Sequence, residues 1–220
     1  LETFRNTKEL PYYLIASNFW DIVNRSYMYS IGGVAGARVL VVGTGAIGRE
    51  IARLLAAAGL HVRGAGRSPR DADPDFATLV SSADLPLQVG WADYVVNATP
   101  LTDATRALFD AAVFAAMKPT AHFINIGRGA SVVEADLLDA LTSRSIDGAS
   151  LDVFDAEPLP ADSPLWDAPR LVVSAHMSGD VVGWKDTLAR QFVDNAERWL
   201  AGKPLLNVVD KSLGYVKAGS

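Results

Sequence analysis

Cysteine is absent from this chain of 220 residues. Its absence excludes disulfide bonds and metal sites built on thiolates, and it is typical of proteins that work in a reducing compartment. We therefore expect a cytoplasmic protein that holds no metal.

A positive net charge and long apolar runs are also lacking. Lysine and arginine total 20 against 25 aspartates and glutamates, which gives a formal net charge of −5. Such a chain has no broad positive field for nucleic acid or an anionic membrane. No apolar run approaches the roughly 18 residues that cross a bilayer, and the first residues do not have the pattern of a signal peptide. We therefore expect a small-molecule ligand at a local site, and no nucleic acid or membrane partner.

Short β-branched runs alternate with helical patterns through the middle of the chain. The first run, Val39–Val42, precedes a helical stretch that ends at Gly59. One face of that stretch carries the apolar residues Ile47, Ile51, Leu54, Leu55 and Ala58. This alternation predicts an α/β fold, a doubly wound parallel sheet with helices on both faces. Further strands are predicted at 61–65, 94–98, 122–126, 149–153 and 171–174, and further helices at 110–117, 134–143 and 184–201.

A glycine-rich segment follows the first predicted strand. Residues 43–48 read Gly-Thr-Gly-Ala-Ile-Gly, which matches G-x-G-x-x-G between a strand and an amphipathic helix. In that context Gly43 allows a tight turn, Gly45 lets the backbone approach a pyrophosphate, and Gly48 lets helix and strand pack closely. The helix N-terminus supplies N–H groups and a favourable dipole for the anion. The pattern predicts a dinucleotide-binding turn, and the alternative is a flexible turn without a ligand.

The end of the second predicted strand lacks the acidic residue that commonly binds the ribose hydroxyls of NAD. Residues 64–70 read Gly-Ala-Gly-Arg-Ser-Pro-Arg, with no carboxylate near Gly66. Arg67, Ser68 and Arg70 suit the 2′-phosphate of NADP instead, because guanidinium groups form charge-assisted hydrogen bonds with phosphate. We therefore predict NADP rather than NAD, and the alternative is a solvated basic turn.

Three polar residues lie just beyond predicted strands in the second half of the chain. Arg128 follows Asn-Ile-Gly at 125–127, Glu157 lies in a loop at 152–158, and His176 follows Ser-Ala at 174–175. Ligands of open parallel sheets bind outside the carboxyl ends of the strands, so all three residues can line one site. Each one alone also has a structural interpretation: a surface arginine, a loop carboxylate and a hydrogen-bonded histidine.

Taken together and in this order, these segments resemble the D-isomer-specific 2-hydroxyacid dehydrogenases over about residues 36–207. The likeness includes Thr-Pro-Leu-Thr at 99–102 with Thr105, which forms the cofactor-side loop in that family. It implies hydride transfer between NADP(H) and a small 2-hydroxy or 2-oxo acid, as in glyoxylate/hydroxypyruvate reductases. The cofactor-binding residues that it implies are Gly43, Gly45, Ala46, Ile47, Gly48, Arg67, Ser68, Arg70, Thr99, Pro100, Thr105, Ile126, Arg128, Asp152, His176 and Gly179.

The resemblance also implies the catalytic roles. Arg128 binds the substrate carboxylate and helps to polarise the carbonyl, which suits a permanently charged, bidentate guanidinium. His176 is the general acid when a 2-oxo acid is reduced and the base in the reverse direction, which suits a side chain that titrates near neutral pH. Glu157 hydrogen-bonds His176, fixes its orientation and favours the imidazolium. Asp152 resembles the residue on the nicotinamide side of the cofactor.

The same resemblance predicts the domain organisation. We expect a dinucleotide-binding domain at 1–183, in which the aromatic-rich arm at 1–35 contributes to a homodimer contact. The C-terminal helix and tail at 184–220 would return to a substrate domain. That domain is built mostly from a preceding segment in the family, and the chain begins at Leu1 rather than methionine. We therefore expect that an upstream segment is missing and that 184–215 exposes apolar surface.

Other functions remain open at this point. A nucleotide-sensing co-regulator on the same fold would be compatible with the retained arginine, glutamate and histidine. Formate dehydrogenases have glutamine where Glu157 stands, and phosphoglycerate dehydrogenase relatives usually keep an acidic residue near Gly66, so both are less favoured. His61 and His122 begin predicted strands without such polar company, and we interpret both as structural.

Overall fold

The computed structural model describes residues 35–67, 69, 73–212 and 214–216. The chain divides into two compact units, one formed by Val23–His176 and the other by Leu1–Ile22 with Met177–Ser220. We call them the sheet unit and the C-terminal unit. Apart from Ala35, the arm predicted at 1–35 lies outside the described residues.

Seven parallel strands form one sheet in the sheet unit. Their spatial order is β3-β2-β1-β4-β5-β6-β7, so the chain reverses its direction of travel across the sheet between β1 and β4. This is the order of a doubly wound dinucleotide-binding fold, with its ligand crevice at the reversal. It confirms the predicted fold class. The strands are β1 Arg38–Val42, β2 His61–Gly66, β3 Leu79–Ser81, β4 Tyr94–Asn97, β5 His122–Asn125, β6 Gly148–Leu151 and β7 Leu171–Val173.

Four helices connect these strands. They are α1 Ala46–Ala57, α2 Leu85–Val89, α3 Ala111–Ala116 and α4 Glu134–Ser143. The apolar face predicted for α1 differs in part from the face that is buried. Gly48, Ala52 and Leu55 are buried, whereas Ile47, which belongs to the predicted face, is 61% exposed. At Gly48 the helix lies so close to the sheet that an added Cβ would collide with the Gly43 carbonyl oxygen and contact the Val41 side chain.

An aromatic cluster lies in the core beside the central strands. Phe123 on β5 is fully buried, and its ring centroid lies 4.9 Å from that of Phe109 and 5.3 Å from that of Phe114. Phe109 precedes α3 and Phe114 belongs to it. The cluster therefore fixes α3 against the middle of the sheet by burial of apolar area and by tilted ring contacts.

Helix α4 has the predicted bounds, and Arg144 caps it in a left-handed conformation, with φ +60°. Gly148 begins β6, where an added Cβ would lie 2.9 Å from the carbonyl oxygen of Arg170. The glycine is thus required by a close backbone approach.

The C-terminal unit contains α5 Trp184–Leu200 and a small antiparallel pair, β8 Val209–Asp210 with β9 Tyr215–Val216. Every residue of α5 is at least partly exposed, and its apolar side chains include Phe192, which is 74% exposed. Nothing in the described part of the chain forms a helix with both the length and the apolar character that crossing a membrane requires.

Candidate active site

The carboxyl ends of the central strands bring the predicted site residues to one edge of the sheet. Gly43 follows β1, Asn97 ends β4, Asn125 ends β5 and Asp152 follows β6. His176 comes three residues after the end of β7. Because all seven strands are parallel, these positions share one edge, which is where doubly wound folds bind ligands.

The glycine turn has three different local requirements. Gly43 has φ +101°, and an added Cβ would lie 2.6 Å from the carbonyl carbon of Ala98. A Cβ on Gly48 would lie 1.9 Å from the carbonyl oxygen of Gly43. Gly45 is different, because a Cβ there would point into open space. The protein itself requires glycine at 43 and 48, whereas the need for glycine at 45 fits a ligand that approaches the backbone.

The N-terminus of α1 fits an anion. Gly45 is its N-cap, no side chain of the described residues caps it, and its first turn holds no acidic residue. The first N–H groups of a helix have no partner within the helix, and they are favoured sites for phosphate. The backbone at Gly45, Ala46, Ile47 and Gly48 therefore fits the pyrophosphate of a dinucleotide.

The end of β2 lies beside this turn. A Cβ at Gly66 would lie 2.8 Å from the hydroxyl oxygen of Thr44, so a side chain at position 66 would require Thr44 to move. Arg67 follows and is exposed. Ser68 and Arg70, the other residues predicted to bind a 2′-phosphate, lie outside the described residues.

Arg49 is a residue of this region that the sequence reasoning missed. Its guanidinium nitrogens donate to Asp73 at 2.8 and 3.0 Å and to Asp75 at 2.6 Å. The hydrogen bonds that Arg49 donates to both carboxylates raise the pKa of its guanidinium above the usual value. These charge-assisted bonds tie the stretch after β2 to helix α1.

A buried polar network lies at the ends of β4 and β5. Asn97 and Asn125 are almost completely buried, as is Ser131. The Asn97 amide donates to Asn125 Oδ1 at 2.9 Å and to Ser131 Oγ at 2.7 Å. Its Oδ1 accepts hydrogen bonds from the backbone N–H and the hydroxyl of Thr99, at 3.0 and 2.7 Å. Sequence reasoning missed all three network residues, because an amide at a strand end shows no partner in the sequence.

The predicted cofactor-side loop continues from Thr99. The Thr105 hydroxyl donates to the Pro100 carbonyl oxygen at 2.6 Å and accepts from the Thr102 N–H at 2.8 Å. Thr105 therefore shapes the loop that presents Thr99 and Pro100 at the edge of the sheet. Its role as a cofactor contact stays a prediction.

His176 and Glu157 form a close pair. His176 Nδ1 lies 2.6 Å from Glu157 Oε2, and the two side chains are 48% and 36% exposed. With Nδ1–H donated to the carboxylate, the second ring nitrogen, Nε2, is the one that can exchange a proton with a substrate. His176 also has φ +50°, a left-handed conformation in which histidine is more frequent than most residues.

The carboxylate of Glu157 is kept in its charged form. Burial alone would raise the pKa of Glu157, but hydrogen bonds from His176 and from the Phe154 N–H, together with the charges of His176 and Arg128, lower it below its usual value. The Phe154 N–H donates to Glu157 Oε1 at 3.0 Å. Both carboxylate oxygens are thus engaged, one to hold the loop and the other to hold the imidazole.

Arg128 extends from a turn that the buried network holds. Its carbonyl oxygen accepts hydrogen bonds from Ser131 Oγ at 2.5 Å and from the Asn125 amide at 3.3 Å. Its exposed guanidinium donates to the Gly127 carbonyl at 2.6 Å, and its charge acts on Glu157. The structure therefore brings Arg128, Glu157 and His176 into one polar site.

Three further residues were predicted as cofactor contacts: Asp152, Ile126 and Gly179. Asp152 is buried and accepts a hydrogen bond from the Ser174 hydroxyl at 2.6 Å. The Ile126 N–H donates to the Asn97 carbonyl at 3.1 Å. Gly179 belongs to the C-terminal unit. These placements do not test whether any of the three contacts a cofactor.

The other histidines differ from His176. His122 is buried, with Nε2 3.1 Å from the Ser150 hydroxyl. Burial first, and the charge of Arg170 second, lower the pKa of His122 to about 3, so the ring is neutral. His61 is exposed at the start of β2. Among the described residues, no group of three histidine, aspartate or glutamate side chains could hold a metal ion.

A parallel sheet with a glycine turn at its reversal and an uncapped helix beside it defines a dinucleotide-binding protein. Within that class the chain belongs to the D-isomer specific 2-hydroxyacid dehydrogenase family, whose NAD-binding domain matches residues 1–178.

Its relatives include reductases of small acids. The glyoxylate/hydroxypyruvate reductase A of Photorhabdus laumondii is 35% identical over 175 residues, 80% of this chain and 55% of the relative. The chain thus spans about half the length of the curated relatives that it resembles.

Solved structures resemble this chain closely. The NADPH-dependent glyoxylate/hydroxypyruvate reductase of Sinorhizobium meliloti, in complex with NADP and sulfate, aligns with a TM-score of 0.79 at 33% identity, over 92% of this chain and 68% of that one. A D-isomer specific 2-hydroxyacid dehydrogenase of Xanthobacter autotrophicus, in complex with NADPH and MES, aligns with a TM-score of 0.76 at 36% identity, over 90% and 81%.

Proposed function

We propose that the complete protein is an NADP(H)-dependent reductase of small 2-oxo acids, with His176 as general acid, Arg128 as carboxylate ligand and Glu157 as the residue that orients His176. One observation carries this proposal. An imidazole is paired at 2.6 Å with a carboxylate whose pKa is also lowered by a nearby guanidinium, at the ligand-binding edge of a dinucleotide fold.

The three side chains have complementary tasks in the reduction. When bound, the cofactor supplies the hydride, which forms the new C–H bond at the carbonyl carbon of the 2-oxo acid. His176 gives the proton on Nε2 to the carbonyl oxygen, so that the C=O double bond becomes a C–OH group. Glu157 holds the imidazole by Nδ1 and so fixes the orientation of Nε2. In the reverse direction His176 takes the hydroxyl proton.

Arg128 provides the recognition of a 2-oxo acid. A guanidinium binds a carboxylate through two parallel hydrogen bonds, which fixes the carbonyl group relative to the imidazole. In the structure this guanidinium donates to the carbonyl of its neighbour Gly127, a contact that a substrate carboxylate would replace or share.

NADP is the proposed cofactor because of the end of β2. Position 66 is a glycine rather than an acidic residue, and Arg67 follows it. A guanidinium suits a phosphate. Two similar structures contain NADP or NADPH. We also propose the predicted domain division at 183/184, a homodimer and a cytoplasmic location, for which the family resemblance is the support.

An assay with both reduced cofactors tests the activity. Purified complete gene product is mixed with NADPH or NADH and with a panel of 2-oxo acids that includes glyoxylate, hydroxypyruvate and pyruvate. We expect oxidation of NADPH with at least one acid and a lower KM for NADPH than for NADH. Binding of NADPH without turnover of any acid would favour the nucleotide-sensing alternative, and a preference for NADH would contradict the role of Arg67.

His176→Ala tests the general acid. We expect turnover to fall about 10²–10⁴-fold, while the Kd for NADPH, measured by fluorescence, stays the same. His61→Ala is the matched control because it removes an exposed histidine at the opposite edge of the sheet, and its turnover should equal that of the parent. Unchanged turnover in His176→Ala would exclude His176 from the reaction.

A further inference from the structure

The buried network at the ends of β4 and β5 joins two loops that serve different ligands in the proposed function. On one side, Asn97 Oδ1 accepts from the backbone N–H and the hydroxyl of Thr99. On the other, Ser131 Oγ and the Asn125 amide donate to the carbonyl of Arg128. The Asn97 amide connects the two sides.

The side-chain donors of this network form a chain that leads from Thr99 to the Arg128 carbonyl. Thr99 donates to Asn97, Asn97 donates to Asn125 and Ser131, and both of these donate to the Arg128 carbonyl. Asn125 Oδ1 also accepts the Gly127 N–H at 3.1 Å. Chains of buried hydrogen bonds polarise one another, so the loss of one bond weakens the others.

Burial makes this arrangement rigid. Asn97 and Ser131 are fully buried and Asn125 is 1% exposed, so water cannot replace a lost partner without a change in packing. An unpaired polar group in such a place is costly, and in this arrangement every buried polar side-chain atom of the network has a hydrogen-bond partner. A displacement of the Thr99 loop must then also displace the turn that carries Arg128.

We propose that Asn97, Asn125 and Ser131 are positioning residues that couple the cofactor-side loop at Thr99–Pro100 to the carboxylate-binding turn at Gly127–Arg128. The nucleotide and the substrate carboxylate are thereby placed relative to one another by one buried network. This inference rests on the proposed function, which assigns one ligand to each loop.

Ser131→Ala is the decisive variant, because Ser131 forms no hydrogen bond with the Thr99 loop. We expect it to raise the KM for glyoxylate and also the Kd for NADPH, each roughly three- to tenfold, the effect of one or two buried hydrogen bonds. Asn97→Ala should likewise weaken both. If Ser131→Ala changes only the KM for glyoxylate, the two loops are independent and the coupling is wrong. That result decides the question even if Asn97→Ala does not fold.

Amide exchange in the nucleotide-free protein gives a readout without activity. In Ser131→Ala the Thr99 N–H should exchange roughly three- to tenfold faster, although its own acceptor on Asn97 is unchanged. Unchanged exchange at Thr99 would also contradict the coupling. This measurement does not depend on turnover, so it separates a failure of the network from a failure of the proposed function.

Ser150→Ala is the matched control. Ser150 is a buried serine whose hydroxyl is bonded to His122, outside the network. We expect it to lower stability by an amount similar to Ser131→Ala, with the KM for glyoxylate, the Kd for NADPH and the exchange at Thr99 unchanged. Equal effects of both variants on these three quantities would mean that general destabilisation is the cause, which would overturn the proposal.

Discussion

The sheet unit and the C-terminal unit differ in how far their apolar side chains are buried. In the sheet unit, four consecutive residues of β1, Val39–Val42, are fully buried, and three phenylalanines fill the core beside them. In the C-terminal unit, α5 keeps Phe192 and Trp199 exposed, the latter by 73%. A helix with apolar residues on an exposed face contributes little to folding through that face.

The comparison shows where the stability of the chain resides. The strands of the sheet unit are buried on both faces, and this burial of apolar area stabilises the unit by itself. The buried polar side-chain atoms of the described residues all have hydrogen-bond partners, so the core carries no uncompensated polar cost. We therefore expect substitutions in the sheet unit to change stability much more than equivalent substitutions on α5.

Phe123→Ala should give the largest loss. Removing a fully buried ring that contacts Phe109 and Phe114 leaves a cavity, and we expect the free energy of unfolding to fall by about 3–5 kcal/mol. Urea denaturation followed by far-UV circular dichroism measures it. A loss below about 1 kcal/mol, which is typical of an average substitution, would mean that this cluster does not dominate the core.

Acid should destabilise the sheet unit through His122. The unfolded histidine binds a proton below about pH 6.5, whereas the folded one, with its pKa of about 3, does not. The unfolded state therefore holds more protons between these values, and the free energy of unfolding falls by roughly 1 kcal/mol per pH unit as the pH decreases from 6.5 towards 3.

The variant His122→Gln, compared with the parent from pH 7 to pH 4, isolates this contribution. We expect the pH dependence of the urea midpoint to be weaker in the variant by the slope that His122 supplies. His61→Gln removes an exposed histidine and should leave that dependence unchanged. Parallel pH profiles for His122→Gln and the parent would show that burial of His122 does not govern the response to acid.

Gly48→Ala should lower the stability of the fold, whereas Gly45→Ala should lower the affinity for NADPH. The methyl group at position 48 would collide with the Gly43 carbonyl, so we expect a loss of about 1–3 kcal/mol in the free energy of unfolding. The methyl group at 45 meets open space and should leave stability unchanged or raise it by up to about 1 kcal/mol. NADPH affinity, measured by fluorescence, should nevertheless fall in Gly45→Ala. Equal NADPH affinity in the parent and Gly45→Ala would contradict a phosphate site at this turn.

Phe192→Ala should have the smallest effect and completes the comparison with Phe123→Ala. Because its ring is 74% exposed, we expect the free energy of unfolding to change by no more than about 0.5 kcal/mol. The same urea experiment measures it. A loss as large as that of Phe123→Ala would show that the apolar face of α5 is covered in solution.

The central architecture could be predicted from the sequence because its signals are local. The strands β1, β4 and β5 are largely apolar runs bounded by turns, and the glycine spacing at 43–48 marks the reversal of the sheet. The strand Leu79–Ser81 and the helix Leu85–Val89 were not predicted. They have three and five residues, too few for a periodic pattern to appear.

The site could be predicted only in part. Arg128, Glu157 and His176 were recognised because the family motifs around them are specific, and the structure brings them together. The polar partners that shape the surrounding loops could not be predicted. Asn97 and Ser131, in the network that holds the Arg128 turn, lie 34 positions apart in the chain. Arg49, beside the glycine turn, lies 24 positions from Asp73. Such pairs exist only after the sheet has formed, and neither member has a distinctive sequence context.

The parallel arrangement of the sheet has a practical consequence. Since every strand begins at the edge opposite the proposed active site, the exposed His61 at the start of β2 is separated from that site by the length of a strand, roughly 15–20 Å. These 220 residues contain no cysteine, so a single thiol introduced at this position would be the only one within them. A fluorophore or a surface linker could then be attached there while the nucleotide and its acid substrate retain free access.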